Sequence, residues 1–217
     1  MFKKFVTAAL AALALAACSP KQEKICTGDI IFVGIPSDYS LDEGSMDEAI
    51  TKATGSGRLN LIHAAIAEVD SAGCVWIIDA TLRRGVDRHP LDTMRKDFTL
   101  KDGSQPVYIV KRLKDNSKAA QFVEAAKQYL GRPYDNAFLP DNEAMYCTEL
   151  IRDSYRDVSG EYVFPSRPMN FKDADGNMPV YWEQLFAILG IPVPQGVPGT
   201  NPQDMSSEDV LKEVFNF

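Results

Sequence analysis

The chain has 217 residues, of which 45% are hydrophobic and 24% are charged, and its formal net charge is −7. A chain of this length can form one domain with a sizeable core. The excess of acidic residues argues against a nucleic-acid partner, which would require a basic face. It also argues against adhesion to anionic lipid through charge alone.

The N-terminus has the pattern of an export signal. Two lysines are followed by 13 residues without a charge, from position 5 to position 17. This run matches the n-region and h-region of a signal peptide and is shorter than the roughly 20 residues of a membrane span. The end of the run, Leu15-Ala16-Ala17-Cys18, resembles a bacterial lipobox, in which the cysteine is diacylated and becomes the first mature residue. The alternative is an ordinary secretory signal with a chance cysteine.

The lipobox interpretation divides the chain. We expect a signal peptide over 1–17, a tether over 18–25, a domain over 26–191, and a linker with a short helix over 192–217. The mature chain would have 200 residues with 21 basic and 30 acidic side chains, a net charge of −9. Ser19 does not match the aspartate that commonly retains lipoproteins in an inner membrane. An exported protein anchored to the outer membrane through lipid on Cys18 is therefore expected.

Three cysteines remain after Cys18, namely Cys26, Cys74 and Cys147. Export places them where disulfides can form. No pair has CxxC or zinc-finger spacing, so neither a structural metal nor another cofactor is expected. Cys26 and Cys74 could pair, but three free thiols are the favoured interpretation because no dense disulfide framework is present.

The first half of the chain is rich in predicted strands. They cover residues 28–33, 59–69, 74–80 and 107–110, and a turn at 70–73 makes a hairpin of the second and third. A short helix is plausible over 46–53. The polar segment 83–97, interrupted by Pro90, is predicted as a loop.

The second half follows the helical period instead. Apolar residues from Ala119 to Leu130 predict one helix, and further helices are predicted at about 144–158, 180–189 and, weakly, 206–217. Strands come first and helices last, which indicates an α+β fold rather than alternating βαβ units.

The chain has only two histidines, His63 and His89. His63 lies in a predicted strand with Leu61, Ala65 and Ala67 on its own face, where small residues would let another element approach closely. A buried core histidine is the alternative interpretation. His89 is predicted to lie in the polar loop before Pro90.

Cys147 begins a predicted amphipathic helix and shares its buried stripe with Leu150, Ile151 and Ser154. Unpaired N–H groups and the helix dipole favour a thiolate in the first turn, and the thiolate is the nucleophilic form. The alternative is an inert core cysteine.

Asp79 ends an apolar strand one hairpin away from His63. A carboxylate there can orient the imidazole by accepting its ring N–H. The alternative is a carboxylate that caps the next turn. Asp29, directly after the turn at Gly28, is expected to be structural.

Six short motifs occur in a fairly specific order: Gly28-Asp29-Ile30-Ile31-Phe32, His63 in a strand, Ile78-Asp79-Ala80-Thr81 with Gly85-Val86, Val107-Tyr108-Ile109-Val110, Gly131-Arg132-Pro133-Tyr134-Asp135 and Tyr146-Cys147-Thr148-Glu149-Leu150. Over roughly residues 26–170 they resemble the circularly permuted branch of the NlpC superfamily of papain-like cysteine hydrolases, the YiiX/YebB-like group. Ordinary members place cysteine before histidine, whereas the permuted branch runs histidine, acid, cysteine, as here.

The resemblance implies a permuted papain-like fold, with a small antiparallel sheet packed against helices and the catalytic cysteine at a helix N-terminus. It implies that Cys147 is the nucleophile, His63 the general base and then acid, and Asp79 the orienting group, where the family usually has glutamate. It also implies that Tyr134 lines the cleft. Glu149 is either a counter-charge for a substrate amine or a solvated carboxylate that complements the helix dipole.

The expected activity is cysteine-dependent hydrolysis of an amide bond through an acyl-enzyme. Cell-wall stem peptides are the natural substrate class in this compartment, by analogy with the superfamily. Two alternatives remain open: hydrolysis or acyl transfer on a lipid-linked amide or thioester, and a non-catalytic binding lipoprotein that has kept the cleft.

Overall fold

A computed structural model describes residues 24–55 and 57–217, so the predicted signal peptide and the lipidation site at Cys18 lie outside the described residues. The elements, in chain order, are β1 (Ile30–Pro36), α1 (Met46–Thr54), β2 (Leu59–Val69), β3 (Val75–Thr81), β4 (Gly85–Pro90), α2 (Leu91–Asp97), β5 (Val107–Leu113), α3 (Ala119–Lys127), α4 (Cys147–Ser154), β6 (Arg167–Pro168), α5 (Val180–Leu189), β7 (Pro198–Gly199), α6 (Pro202–Ser206) and β8 (Leu211–Asn216). Within the described ranges, no helix has both the length and the apolar character needed to cross a membrane.

The described residues form one large antiparallel sheet, in the order β4-β3-β2-β1-β5-β8, and the short pair β6-β7. Strand β1 lies inside the sheet, and Ile30, Ile31 and Phe32 are all fully buried. Burial on both faces explains why β1 is apolar without alternation. The predicted α+β class, with an antiparallel sheet packed against helices, is confirmed.

Two apolar layers cover the two faces of the sheet. One layer contains Phe32 and Ile66 of the sheet together with Leu150 and Ile151 of α4. The other layer includes Ile31 and Tyr108. Helix α4 lies against β2 and β3. This packing holds the N-terminus of α4, where Cys147 stands, beside the strands that carry His63 and Asp79.

Strand β2 contains a bulge at the candidate site. Val33 lies opposite His63, but the next residue of β1, Gly34, lies opposite Leu61, so Ile62 is an extra residue. Leu61 belongs to the layer that contains α4, whereas Ala65 belongs to the other layer. The prediction that they share one face is therefore wrong, because a bulge breaks the period of two.

The segment around His89 also differs from its prediction as a polar loop. Gly85–Pro90 is strand β4, paired with β3, and Leu91–Asp97 is helix α2. Pro90 does not interrupt a loop: it ends the strand and stands at the N-cap of the helix. The residue before the proline is then extended, which is the conformation that proline imposes on its neighbour.

The C-terminal segment was predicted as a linker and a weak helix, and the helix is wrong. Leu211–Asn216 is strand β8, which pairs with β5 at the edge of the main sheet. A five-residue helix, Pro202–Ser206, precedes it. The open edge of β5 offers backbone hydrogen bonds that a short helix cannot replace, and pairing overrides the weak helical pattern. The predicted helices at Ala119 and 180–189 are confirmed, and the helix predicted at 144–158 is shorter, Cys147–Ser154.

Gly85, the first residue of β4, packs against the loop that precedes α4. Its φ is +66°, and a Cβ atom there would collide with the carbonyl oxygen of Arg132. That oxygen accepts the N–H of Val86 at 2.8 Å.

We expect Gly85→Ala to lower the free energy of unfolding by about 3 kcal/mol, since backbone strain and overpacking add. Gly73→Ala is the matched control: its φ is +83° but a Cβ would meet open space, so a loss of about 1 kcal/mol is expected. Urea denaturation of both variants measures the difference. Equal losses would contradict the packing argument.

Candidate active site

His63 and Asp79 are joined by a buried hydrogen bond. The Nε2 atom of His63 lies 2.8 Å from Oδ2 of Asp79, and the residues are 6% and 1% exposed. A carboxylate only accepts hydrogen bonds, so Nε2 carries the proton. The structure thus brings together two of the predicted site residues, and aspartate spans the distance although it is one methylene shorter than glutamate.

Cys147 supplies the other neighbour of the imidazole. It is the first residue of α4 and is 7% exposed. It stands close enough to the His63 ring to raise the pKa of the imidazole. Because Nε2 is occupied by Asp79, Nδ1 is the ring nitrogen left for the sulfur. The order along the site is therefore Cys147, His63, Asp79.

The electrostatics favour a charged imidazole. Burial acts to lower the pKa of His63, but Cys147 and the hydrogen bond to Asp79 outweigh it and raise the pKa to about 10. Burial acts to raise the pKa of Asp79, and the hydrogen bonds from His63 and His89 hold it well below its usual range. This arrangement stabilises an imidazolium between the Asp79 carboxylate and Cys147.

The sequence interpretation missed the position of His89. It is 5% exposed on β4, and its Nε2 lies 3.0 Å from Oδ1 of Asp79, the carboxylate oxygen that His63 does not use. Its pairing partner is Ile77, two residues before Asp79. Val86 is the only apolar residue between Gly85 and Pro90, so the segment carries no alternating pattern that could have indicated a strand.

The thiol and the imidazole open into a cavity of about 440 Å³. Most of the side chains that line it are apolar or aromatic, and several others are charged. The apolar ones include Met46, Ile50, Ile62, Leu82, Phe98, Phe138, Met169, Phe171 and Trp182, and the charged ones include Asp47, Arg83, Arg84, Lys96 and Asp97. The cavity can therefore surround an apolar group.

Tyr134 lines this cavity, as the resemblance implied. Burial, followed by the nearby Cys147, raises the pKa of its hydroxyl well above the usual range. The hydroxyl therefore stays protonated and can donate a hydrogen bond inside the cleft. Tyr134 also contacts Phe138 edge to face, at 6.3 Å between ring centroids.

Glu149 is not among the described residues that line the cavity. Its Oε2 accepts the backbone N–H of Tyr146 at 3.3 Å, which caps the first turn of α4. Burial, together with Asp135 and Asp153, raises its pKa to about 8 against this hydrogen bond. The geometry favours a helix-capping role over a contact with a substrate amine.

Asp135 organises the loop before α4. The sequence indicated this residue only as part of a motif. Its carboxylate accepts the backbone N–H groups of Ala137 at 2.8 Å and Leu139 at 2.9 Å. Its own N–H donates to the carbonyl of Met145. Phe138 is held at a φ of 51° within this loop. These bonds fix the loop that delivers both Tyr134 and Cys147 to the cavity.

The cysteines and Asp29 have the following surroundings. The three cysteines in residues 24–55 and 57–217 are free thiols, with Cys26 and Cys74 exposed and Cys147 buried. Asp29 accepts two hydrogen bonds from Arg112 and one from the N–H of Cys26, which is a structural role. Among the described residues, no group of three or more His, Cys, Asp or Glu side chains is arranged to hold a metal ion.

Residues 24–215 match the sequence model of a family described as "Permuted papain-like amidase enzyme, YaeF/YiiX, C92 family". The chain belongs to this family. The predicted relationship to permuted papain-like hydrolases is confirmed, and the order histidine, acid, cysteine reflects the permutation. The family is described as one of permuted papain-like amidases.

Relatives from Escherichia coli support this assignment. "Uncharacterized protein YiiX" of strain K12 is 27% identical over 115 residues, which cover 52% of this chain and 56% of that relative. The chain thus matches little more than half the length of this relative. A solved structure described as "Crystal structure of metalloprotein yiiX from Escherichia coli O157:H7, DUF1105" has a TM-score of 0.66 and 24% identity, and the match covers 87% of this chain and 96% of that one. This likeness shows a shared fold.

The Asp79 contact generates a pH prediction. Asp79→Asn removes the charge that stabilises the His63 imidazolium, so His63 should lose its proton at lower pH. The basic limb of kcat/KM should then move down by about one pH unit or more. Asp79→Glu should retain most activity because it keeps the charge. A pH profile of Asp79→Asn that coincides with the wild type would show that another group orients His63.

Proposed function

We propose that this chain is a cysteine amidase, and that Cys147, His63 and Asp79 are its catalytic triad. The observation that supports the proposal is the buried chain of contacts from the thiol through the imidazole to the carboxylate, at the wall of a cavity that can hold a substrate. In it His63 is the general base and then the general acid, and Asp79 orients its ring.

The first half of the reaction forms an acyl-enzyme. The Cys147 thiolate attacks the carbonyl carbon of the amide, and the carbonyl oxygen becomes an oxyanion. The backbone N–H of Cys147 lies in the first turn of α4, where N–H groups have no partner within the helix, and it can donate to that oxyanion. As the tetrahedral intermediate collapses, the C–N bond breaks and the His63 imidazolium gives its proton to the leaving amine.

The second half restores the thiol. The neutral His63 ring takes a proton from water, and the resulting hydroxide attacks the acyl carbon. Collapse of this second intermediate breaks the C–S bond and releases a carboxylic acid. The hydrogen bond from Nε2 to Asp79 keeps the ring in one orientation throughout, so the same nitrogen faces the sulfur, the amine and the water.

We propose that the enzyme is exported and anchored to an outer membrane, at its periplasmic or its surface face, by diacylation of Cys18. The lipobox at Leu15-Ala16-Ala17-Cys18 supports this assignment. Peptides of the cell-wall stem are the proposed substrate, since this compartment supplies them. The anchor would hold the domain at a membrane surface that borders the wall.

A lipid-linked amide or thioester is the second candidate substrate, and the cavity favours it. Aromatic and aliphatic side chains such as Phe98, Phe171 and Trp182 make up most of the lining of the cavity that Cys147 also lines. An apolar acyl group is stabilised there by about 25 cal/mol for each Å² of surface removed from water. A stem peptide carries few apolar groups that could use this wall.

The two substrates can be compared directly on purified protein. The assay offers a stem tetrapeptide and a long-chain N-acyl amino acid, and mass spectrometry detects the acyl group on Cys147. If only the N-acyl amino acid acylates Cys147, the lipid-linked substrate is favoured. If only the tetrapeptide is cleaved or acylates Cys147, the cell-wall substrate is favoured. If Cys147 accepts no acyl group and its thiol labels no faster than Cys74, the proposed triad is refuted.

Replacement of the nucleophile is the main test of the triad. Cys147→Ala should abolish hydrolysis, because no other described cysteine reaches the imidazole, and it should leave the circular dichroism spectrum unchanged. Cys26→Ala and Cys74→Ala are matched controls, since both thiols are exposed and free. They should keep wild-type activity. Full activity of Cys147→Ala would end the proposal.

The anchor is tested separately in cells. Growth with a labelled fatty acid should label the wild-type chain and leave Cys18→Ser unlabelled, because diacylation requires the cysteine. Cys26→Ser is the control and should stay labelled. Labelling that persists in Cys18→Ser would contradict the lipoprotein assignment.

A further inference from the structure

Two imidazoles share the carboxylate of Asp79. His63 contacts Oδ2 at 2.8 Å, and His89 contacts Oδ1 at 3.0 Å. His89 is buried on β4 and is not among the described residues that line the cavity. Any effect of His89 on the reaction therefore passes through Asp79.

The hydrogen bonds of His89 determine its protonation. Its Nδ1 lies 3.2 Å from the carbonyl oxygen of Pro90, and its Nε2 faces the Asp79 carboxylate. Carbonyl and carboxylate oxygens only accept hydrogen bonds. Both contacts are hydrogen bonds only when each ring nitrogen carries a proton, so this geometry favours an imidazolium beside an ionised Asp79.

One contact opposes this charge. Arg84 Nη2 lies 3.4 Å from the same Nε2, and a guanidinium can only donate. The contact is longer than the one to Asp79, and Arg84 is held instead in ion pairs with Asp97 and Asp87. Burial and Arg84 act to lower the pKa of His89, but Asp79 and the Pro90 carbonyl outweigh them and the pKa is raised.

We propose that His89 is a positioning residue for the amidase: it fixes the Asp79 carboxylate toward His63 and, as an imidazolium, takes a share of its negative charge. The proposal rests on the proposed triad. With a second cation on Asp79, the carboxylate holds the His63 proton less tightly than it would alone. His63 can then pass this proton to the leaving amine more readily.

The choice of variant separates charge from position. Glutamine can place an amide N–H near the position of the histidine Nε2, so His89→Gln keeps a donor to Asp79 and removes the positive charge. We expect the basic limb of kcat/KM to move to higher pH by about one unit, because Asp79 then acts on His63 alone. At the optimum kcat should fall about 3- to 10-fold, and KM should stay constant.

Arg88→Gln is the matched charge control. Arg88 precedes His89 on the same strand, but its guanidinium pairs with Glu68 and lies over the Trp76 ring, away from Asp79. This variant removes one positive charge from β4 and should keep both pH limbs in place. A shift of the pH limbs as large as that of His89→Gln would show that loss of any positive charge on β4 has this effect, and it would overturn the proposal.

Nitrogen NMR of the two histidines gives a readout that does not depend on activity. In the wild-type protein near neutral pH, the signals of His89 should show both ring nitrogens protonated, and the signals absent from His89→Gln identify the residue. A neutral His89 ring, or a pH profile of His89→Gln that matches the wild type, would overturn the inference while leaving the triad intact. Activity in Cys147→Ala would instead refute the triad itself.

Discussion

The buried carboxylate of Asp79 is the interaction on which the site depends. An ionised carboxylate inside a protein is costly unless it is paired and hydrogen-bonded. Here two imidazoles, from β2 and β4, each satisfy one of its oxygens. Strand β3 is paired with both of these strands, so the sheet itself fixes the three residues relative to one another. The geometry of the imidazole that faces Cys147 is thus a property of the sheet rather than of a loop.

The sulfur of Cys147, the proposed nucleophile, comes from a different part of the chain, and loop bonds bring it into place. Asp135 fixes the loop before α4, and Glu149 caps the first turn of the helix. Leu150 and Ile151 of α4 pack on the sheet. The site therefore joins two units, the sheet that carries His63 and Asp79, and a capped helix that carries Cys147. Small errors in either would separate the sulfur from the ring.

The surroundings strengthen the electrostatics of the site. Aromatic side chains line the cavity, and Phe98 lies against the His63 ring at 4.7 Å between centroids. In a region of low dielectric, the attraction between the His63 imidazolium and the Asp79 carboxylate is larger than it would be in water. The same apolar lining is the surface that the proposed acyl group would contact.

The sequence by itself determined the fold class and the candidate chemistry. Cys147 stood at the start of an amphipathic helix, His63 lay in a strand, and Asp79 ended the next strand of a hairpin; the order of these motifs indicated the permuted family. Such features are local, since they depend on periodicity, turn residues and spacing. The tertiary structure alone decided the rest. His89 joined the site because β4 pairs with β3, the bulge at Ile62 broke the common face of β2, and residues 211–216 became a strand because β5 had an open edge. Pairing between strands distant in sequence is set by hydrogen bonds and packing over the whole sheet, so no local pattern specifies it.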